Sequence, residues 1–389
     1  MQAEAGRARR WPFWFLIATL TGIVLSVGPS VLGHPTPLTA DPHLYSEAME
    51  QLFSGEIPYI DFPYEHLPLA IVPMAGAQVI AAPLGIPYGN PFTLIMLIII
   101  FLSGLLVARI GDELDLEGAG LRWVILMAPM LLIAPFRIDA LSVLLAVAAV
   151  YLAITGREGA SLTAAMGGVL AKGWPVVLAA ADWWRGRRSR AIALVGFTAV
   201  IGAMLLATPG FREGRSFVGV HQETLSGTLV IVWRLLSGSE AEIVSAAGAV
   251  YVETGVWALA LNLLVGIAIA VAALTVLRQR FSWRGGVALT GSLSYAVLLA
   301  SPLLSTQFLL WPIPFVALTG SKQGRWLLTA AGALSVVLTG LWLPGTLWWH
   351  AAWLVRNLML VTAAVYSVRD AIAVSGAYAE STSLKNLPV

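Results

Sequence analysis

The sequence predicts an all-α fold, a polytopic membrane domain of about twelve transmembrane helices. Three observations lead there. Apolar residues make up 58% of the 389-residue chain and charged residues only 11%, whereas the surface of a water-soluble domain carries about 25% Asp, Glu, Lys and Arg. Mean hydropathy is +0.82. Apolar runs recur from residue 12 to residue 368, each near the ~20 residues needed to cross ~30 Å of hydrocarbon. The whole chain, 1–389, reads as one membrane domain without room for a soluble catalytic module.

The first run, Trp11 to Leu32, follows Arg7, Arg9 and Arg10. It is longer than the apolar core of a signal peptide and shows no small-residue cleavage site, so it is expected to be a retained span. Cytoplasmic loops are rich in Lys and Arg. Placing Arg7 to Arg10, Arg157, Arg185 to Arg190, Arg278 to Arg284 and Lys322 to Arg325 inside yields spans near 12–33, 90–110, 121–135, 138–155, 159–171, 174–184, 191–209, 256–277, 285–302, 304–320, 325–343 and 350–368. Both termini are then cytoplasmic, with 370–389 as a cytoplasmic tail. The stretch from Leu67 to Pro87 contains Pro68, Pro73, Pro83 and Pro87 and is expected to be interfacial or re-entrant, because proline interrupts a helix. If it crosses, merging 159–171 with 174–184 restores the parity of later loops.

Composition also excludes chemistry. Net charge is +2 and the basic residues lie in short loops, so nucleic acid is not an expected partner. There is no cysteine, hence no disulfide, thiolate nucleophile or cysteine-bound metal. The 15 Trp read mostly as an interface belt, with Trp311, Trp348 and Trp349 as further candidates to border a lipid or sugar site.

The remaining polar residues converge on the outer side, in the long segments 33–90 and 211–255, the Arg137 to Asp139 turn, Lys172 and the Ser301 to Gln307 turn. Ionisable groups at membrane depth cost roughly 2.5 to 3.5 kcal/mol each, which makes them functional candidates. From Pro42 to Phe53, Leu44, Ala48, Met49 and Leu52 recur at helical spacing and predict an amphipathic surface helix. Asp41 sits at its N-cap with Pro42 at the first helical position. A capping role and a catalytic one are both open for Asp41. Asp41, His43 and Glu47 also read as half of a divalent-metal site, though the spacing is weak and no metal is assigned.

Five stretches carry a family likeness: Asp41 with Tyr45, then Gly55-Glu-Ile-Pro58-Tyr59-Ile-Asp61-Phe and Glu65-His66-Leu-Pro68; Arg137-Ile-Asp139; Gly167 to Pro175 around Lys172; His221-Gln-Glu223-Thr224; and Ser305-Thr-Gln307 running to Pro314. In this order they resemble the GT-C glycosyltransferases, and most of all the actinobacterial polyprenyl-phosphate-mannose-dependent mannosyltransferases. Pro302 and Thr224 depart from the family pattern, which has lysine and serine there. The resemblance implies a GT-C-like multispan fold with helices in the outer loops. It also implies an inverting transfer of a sugar, mannose above all, from a polyprenyl-phosphate donor to a glycolipid or glycan acceptor at the extracytoplasmic face of the plasma membrane, without a cofactor.

Under that resemblance Asp41 is the expected base, with Asp61 and Glu65 as alternatives. Lys172, Arg137 and His221 are expected to bind the donor phosphate, and Tyr45, Tyr59, Asp61, Glu65, His66, Asp139, Glu223 and Gln307 the sugar or acceptor. Arg137 has a second reading as a structural partner of Asp139, and His221 as a local hydrogen-bonding residue. The rival function is a transporter or flippase for a lipid-linked or small polar substrate. Against it, no matching pair of interrupted helices occurs in the two halves, and the acidic residues gather on one face.

Overall fold

The computed structural model describes residues 41–214, 219–239, 243–246, 249–254, 256–275, 282–341 and 346–384. The expected span 12–33, and Arg278 and Arg280, lie outside the described residues.

The described chain is mostly helical. Its helices are α1 (Asp41–Phe53), α2 (Ile71–Leu84), α3 (Gly89–Glu113), α4 (Ala119–Met127), α5 (Asp139–Ile154), α6 (Glu158–Lys172), α7 (Leu178–Trp184), α8 (Arg188–Ala207), α9 (Pro209–Gly214), α10 (Leu225–Leu236), α11 (Val256–Thr275), α12 (Trp283–Ala300), α13 (Ile313–Thr319), α14 (Lys322–Leu341) and α15 (Leu347–Leu384). Among the described residues five helices are long and apolar enough to cross a membrane: α3, α8, α11, α14 and the Leu347–Val374 part of α15.

Three expected spans are not continuous helices. The 121–135 run forms α4 and then two 3-10 turns, Pro129–Leu132 and Ala134–Phe136. Pro129 opens the first turn and Pro135 is second in the other, and neither has an N–H to extend a helix through it. The 174–184 run is the turn Trp174–Val177 plus the seven residues of α7, and 304–320 is the turn Thr306–Leu310 plus α13. Beyond the expected span 350–368, α15 runs on to Leu384 as one 38-residue helix.

The proline-rich 67–87 stretch is more regular than expected. Pro68 opens a 3-10 turn, and α2 then runs unbroken for 14 residues. Pro73 falls in the first turn, where its N–H would lack a helical partner anyway, and Pro83 falls two residues before the left-handed Gly85 that ends the helix. At about 21 Å, α2 is shorter than a full crossing.

A small sheet departs from the all-α expectation. Strands β1 (Val220–His221), β2 (Ile243–Ala246) and β3 (Ala249–Val252) pair antiparallel in the order β1-β3-β2, with His221 opposite Tyr251. Valine, isoleucine and tyrosine are favoured on such a pleated surface.

Helix α12 lies at the centre of the bundle. Its residues from Gly285 to Ala296 are all buried, including Thr290, Ser292 and Ser294, whose hydroxyls donate to carbonyls one turn back. Enclosure by protein is what lets these hydroxyls sit inside the helix, each with a carbonyl partner. Helix α11 approaches it closely at Gly266, where a Cβ would lie 2.5 Å from that of Ala300. Helices α5 and α6 form an antiparallel hairpin tied by the Ser161 hydroxyl, which donates to the Ala149 carbonyl at 2.7 Å. This hairpin positions the site, because it sets the first residue of α5 beside the last residue of α6.

Candidate functional site

Asp41 is the first residue of α1, and its carboxylate forms an ion pair with Arg137. Tyr45, one helical turn on, donates its hydroxyl to Asp41 Oδ2 at 3.1 Å. Arg137 is extended (φ −129°, ψ 138°) between the Ala134–Phe136 turn and α5, so its side chain reaches across to α1. The expected structural pairing of Arg137 with Asp139 is therefore replaced by one with Asp41, and Asp139 acts on Arg137 only through its field. Burial pushes the Arg137 guanidinium down to about 10, while the charges of Asp139 and Glu223 oppose that shift. Burial, reinforced by the charges of Asp139 and Glu65, keeps the Tyr45 hydroxyl protonated and a donor.

Asp139 opens α5 and Lys172 closes α6. A carboxylate at a helix N-terminus and a cation at a C-terminus both complement the helix dipole. In the hairpin the two ends meet, with Lys172 Nζ 3.5 Å from Asp139 Oδ2. Trp311 Nε1 donates to the other oxygen, Oδ1, at 3.1 Å. Lys172 also lies 4.8 Å from the centre of the Phe308 ring. Phe308 stacks on Trp311, and Trp311 on Trp174, with ring centres 4.5 and 5.7 Å apart. Trp174 donates to Ser142 Oγ at 2.8 Å. An aromatic stack thus walls one side of Lys172.

Residues of the 55–68 loop border the cluster. The His66 ring meets Tyr45 edge-on at 5.4 Å between centres, and its Nε2 is 3.5 Å from Glu65 Oε1. Tyr59 donates its hydroxyl to the His66 carbonyl at 2.6 Å. Its backbone is left-handed (φ 71°) and is packed by Gly210, where a Cβ would lie 2.5 Å from the Tyr59 carbonyl oxygen. Asp61 sits elsewhere, exposed, its Oδ2 accepting the Ile57 N–H at 2.7 Å within a local turn.

Glu223 belongs to a second network. Its Oε2 accepts from Arg356 Nη2 at 3.3 Å and from the Thr306 hydroxyl at 3.2 Å, while its carbonyl accepts from Asn357 Nδ2 at 3.1 Å. Thr224 caps α10, its hydroxyl oxygen accepting the Gly227 N–H at 2.9 Å. His221 is buried on β1, with Nδ1 2.7 Å from the Leu304 carbonyl, so that nitrogen carries the proton. Burial holds its imidazole below the ordinary value, against the pull of Glu223. These bonds fasten the sheet to the 302–306 turn. Gln307, half-buried, accepts the Ser305 hydroxyl at 2.6 Å.

The structure therefore brings Asp41, Tyr45, Glu65, His66, Arg137, Asp139 and Lys172 into one cluster, with Glu223 close enough to act on Arg137. Asp61 stands apart. Arg356 and Asn357 were missed, although an arginine inside the apolar 350–368 run is the kind of residue that marks a site. His43 and Glu47 are exposed and 3.6 Å apart on α1, and among the described residues no three His, Asp or Glu come together as a metal would need.

No family model, curated protein or solved structure matches the chain.

Proposed function

We propose that the chain is an inverting membrane glycosyltransferase, moving a sugar, mannose in this reading, from a polyprenyl-phosphate donor to a lipid or glycan acceptor. The observation that carries the reading is the juxtaposition of a carboxylate, Asp41, with two cations, Arg137 and Lys172, at one end of the α5–α6 hairpin. Transfer from a lipid phosphate needs a base for the acceptor hydroxyl, cations for the departing phosphate and an apolar surround for the tail. In this reading the basic loops face the cytoplasm and the cluster faces outward.

In the reaction, Asp41 takes the acceptor hydroxyl proton as that oxygen bonds to the anomeric carbon from the face opposite the phosphate. The bond between the anomeric carbon and the phosphate oxygen breaks, and polyprenyl phosphate leaves with the electron pair. Arg137 and Lys172 hold the charge that develops on it. An ion-paired carboxylate takes a proton reluctantly, so the resting Asp41–Arg137 pair has a mechanistic consequence. The donor phosphate competes for the Arg137 guanidinium and frees Asp41 as a base only once donor is bound. Tyr45 keeps the carboxylate oriented throughout.

The test is transfer of radiolabelled mannose from polyprenyl-phosphate-mannose to an extract of membrane lipids and glycans by the purified protein in nanodiscs. The expected result is a labelled product with inverted anomeric configuration. Absence of both donor binding and transfer, across polyprenyl phosphates bearing several sugars, would sink the proposal.

A further inference from the structure

A second feature lies at the opposite end of the same hairpin. Along α5, Asp139 and Ala153 are about 21 Å apart, and beside Ala153 a half-open groove of about 430 Å³, counting the space open to its surroundings, lies between α5, α6, α7 and α12. Its wall is apolar, built by Val150, Ala165, Leu178 and Val287. Its rim is not, for it carries Asp182, Arg185, Arg190 and Trp283.

The rim is rich in positive charge. Arg185 stacks its guanidinium 3.1 Å from the centre of the Trp283 ring, and Arg187 lies 5.2 Å from the same ring. Arg187 also meets Glu158 at 2.7 Å, and Arg190 meets Asp182 at 3.2 Å and donates to Ser161 Oγ at 2.8 Å. Arg188 lies over Trp183. Among the described residues, four guanidiniums, those of Arg185, Arg187, Arg188 and Arg190, gather around two carboxylates, Asp182 and Glu158, a local surplus of two positive charges. The apolar surface continues outward from this rim, with Trp183, Ile192 and Val195 exposed.

We propose that this cleft binds an anionic phospholipid, its phosphate on Arg185 and Arg187 and an acyl chain in the apolar slot. Charge surplus selects an anion. The apolar wall and the exposed apolar residues select a lipid over free phosphate, because a soluble anion gains nothing from them. Arg190 and Asp182 are the fixed part of that rim, since their ion pair and the Ser161 bond tie α7 and α8 to α6. The site is remote from the Asp41 cluster and does not depend on what that cluster does.

The experiment is native mass spectrometry of the full chain in detergent, offered phosphatidylglycerol and phosphatidylcholine of the same acyl composition in competition. Wild type is expected to retain phosphatidylglycerol preferentially, and 50 mM inorganic phosphate is expected not to displace it. The double variant Arg185→Gln/Arg187→Gln should lose that preference by about tenfold or more, and Ala181→Phe, which fills the slot, should lower retention of both lipids. A second measurement covers variants that fail to fold: phosphatidylglycerol with brominated acyl chains should quench Trp283, read as the difference between wild type and Trp283→Phe, more than brominated phosphatidylcholine does. An unchanged preference in a folded double variant, displacement by inorganic phosphate, or equal quenching by the two lipids overturns the proposal.

Discussion

Asp41, the first residue of α1, and Arg137, just ahead of α5, form an ion pair to which Tyr45 adds its hydroxyl at 3.1 Å from the same carboxylate oxygen. The pair joins two segments far apart in sequence and unites the proposed base with a proposed phosphate ligand. Asp41→Asn keeps the side chain's size and its ability to accept from Tyr45, but it cannot take a proton. Turnover should fall by about 10² or more, with donor binding nearly intact by equilibrium titration. Near wild-type turnover would remove Asp41 from the mechanism and move the role to Glu65, beside His66 in the same cluster, ahead of Asp61 in its separate turn.

Lys172, partly buried, pairs with the buried Asp139, so replacing Lys172 strands a buried carboxylate. Lys172→Met leaves Asp139 with Trp311 as its remaining donor and should destabilise the protein by about 3 kcal/mol. Adding Asp139→Asn removes the stranded charge and should recover much of that loss in a detergent melting assay. Donor affinity should stay low in both variants. Recovery of donor binding in the double variant would mean that Lys172 serves only to balance Asp139.

The Glu223–Arg356 pair predicts a similar asymmetry. Arg356 is fully buried and donates to both the carboxylate and the carbonyl of Glu223. Arg356→Met should cost about 3–5 kcal/mol, and Arg356→Met with Glu223→Gln distinctly less. Equal losses for the single and double variants would show that the charge pairing is not what holds the 220–224 segment against α15.

His221 gives the fold a pH dependence of definite sign. Burial holds its imidazole below the ordinary 6.5, so the unfolded chain binds the proton more readily than the folded one. The contribution is complete above pH 6.5 and is lost as pH falls below it. Wild type should therefore melt at progressively lower temperature below that pH, and His221→Asn, whose amide can still donate to the Leu304 carbonyl, should show a shallower decline. Identical profiles would exclude His221 as a source.

Orientation can be read with single cysteines, since the chain has none of its own. Ser54 and Ser189 are exposed at opposite ends of the bundle, and Ser189 lies among the basic residues. Ser54→Cys should react with an impermeant thiol reagent in intact cells, and Ser189→Cys only after permeabilisation. The reverse pattern would invert the proposed topology.

Much of this was legible in the chain itself. Composition and run length determined a helical protein with helices apolar enough to cross a membrane, because the cost of burying charge in hydrocarbon is paid residue by residue and shows in the local sequence. The amphipathic 42–53 helix was legible for the same reason, its apolar spacing being local. So was the gathering of Asp41, Arg137, Asp139 and Lys172 at segment ends, where polar residues escape the apolar interior.

Tertiary structure alone decided the pairings. Asp139 meets Lys172 because α5 and α6 pack antiparallel, which leaves Arg137 to Asp41, and no spacing along the chain specifies that exchange. Arg356 reaches Glu223 only through the packing of α15 against the 220–224 segment. The 67–87 prolines failed to break α2 because their effect depends on position within the turn. The cleft under Trp283 likewise exists only where four helices leave space between them. Propensity and hydropathy act over a few residues, whereas an ion pair or a cavity depends on atoms that chain folding brings together from far apart, and that is where the two kinds of information divide.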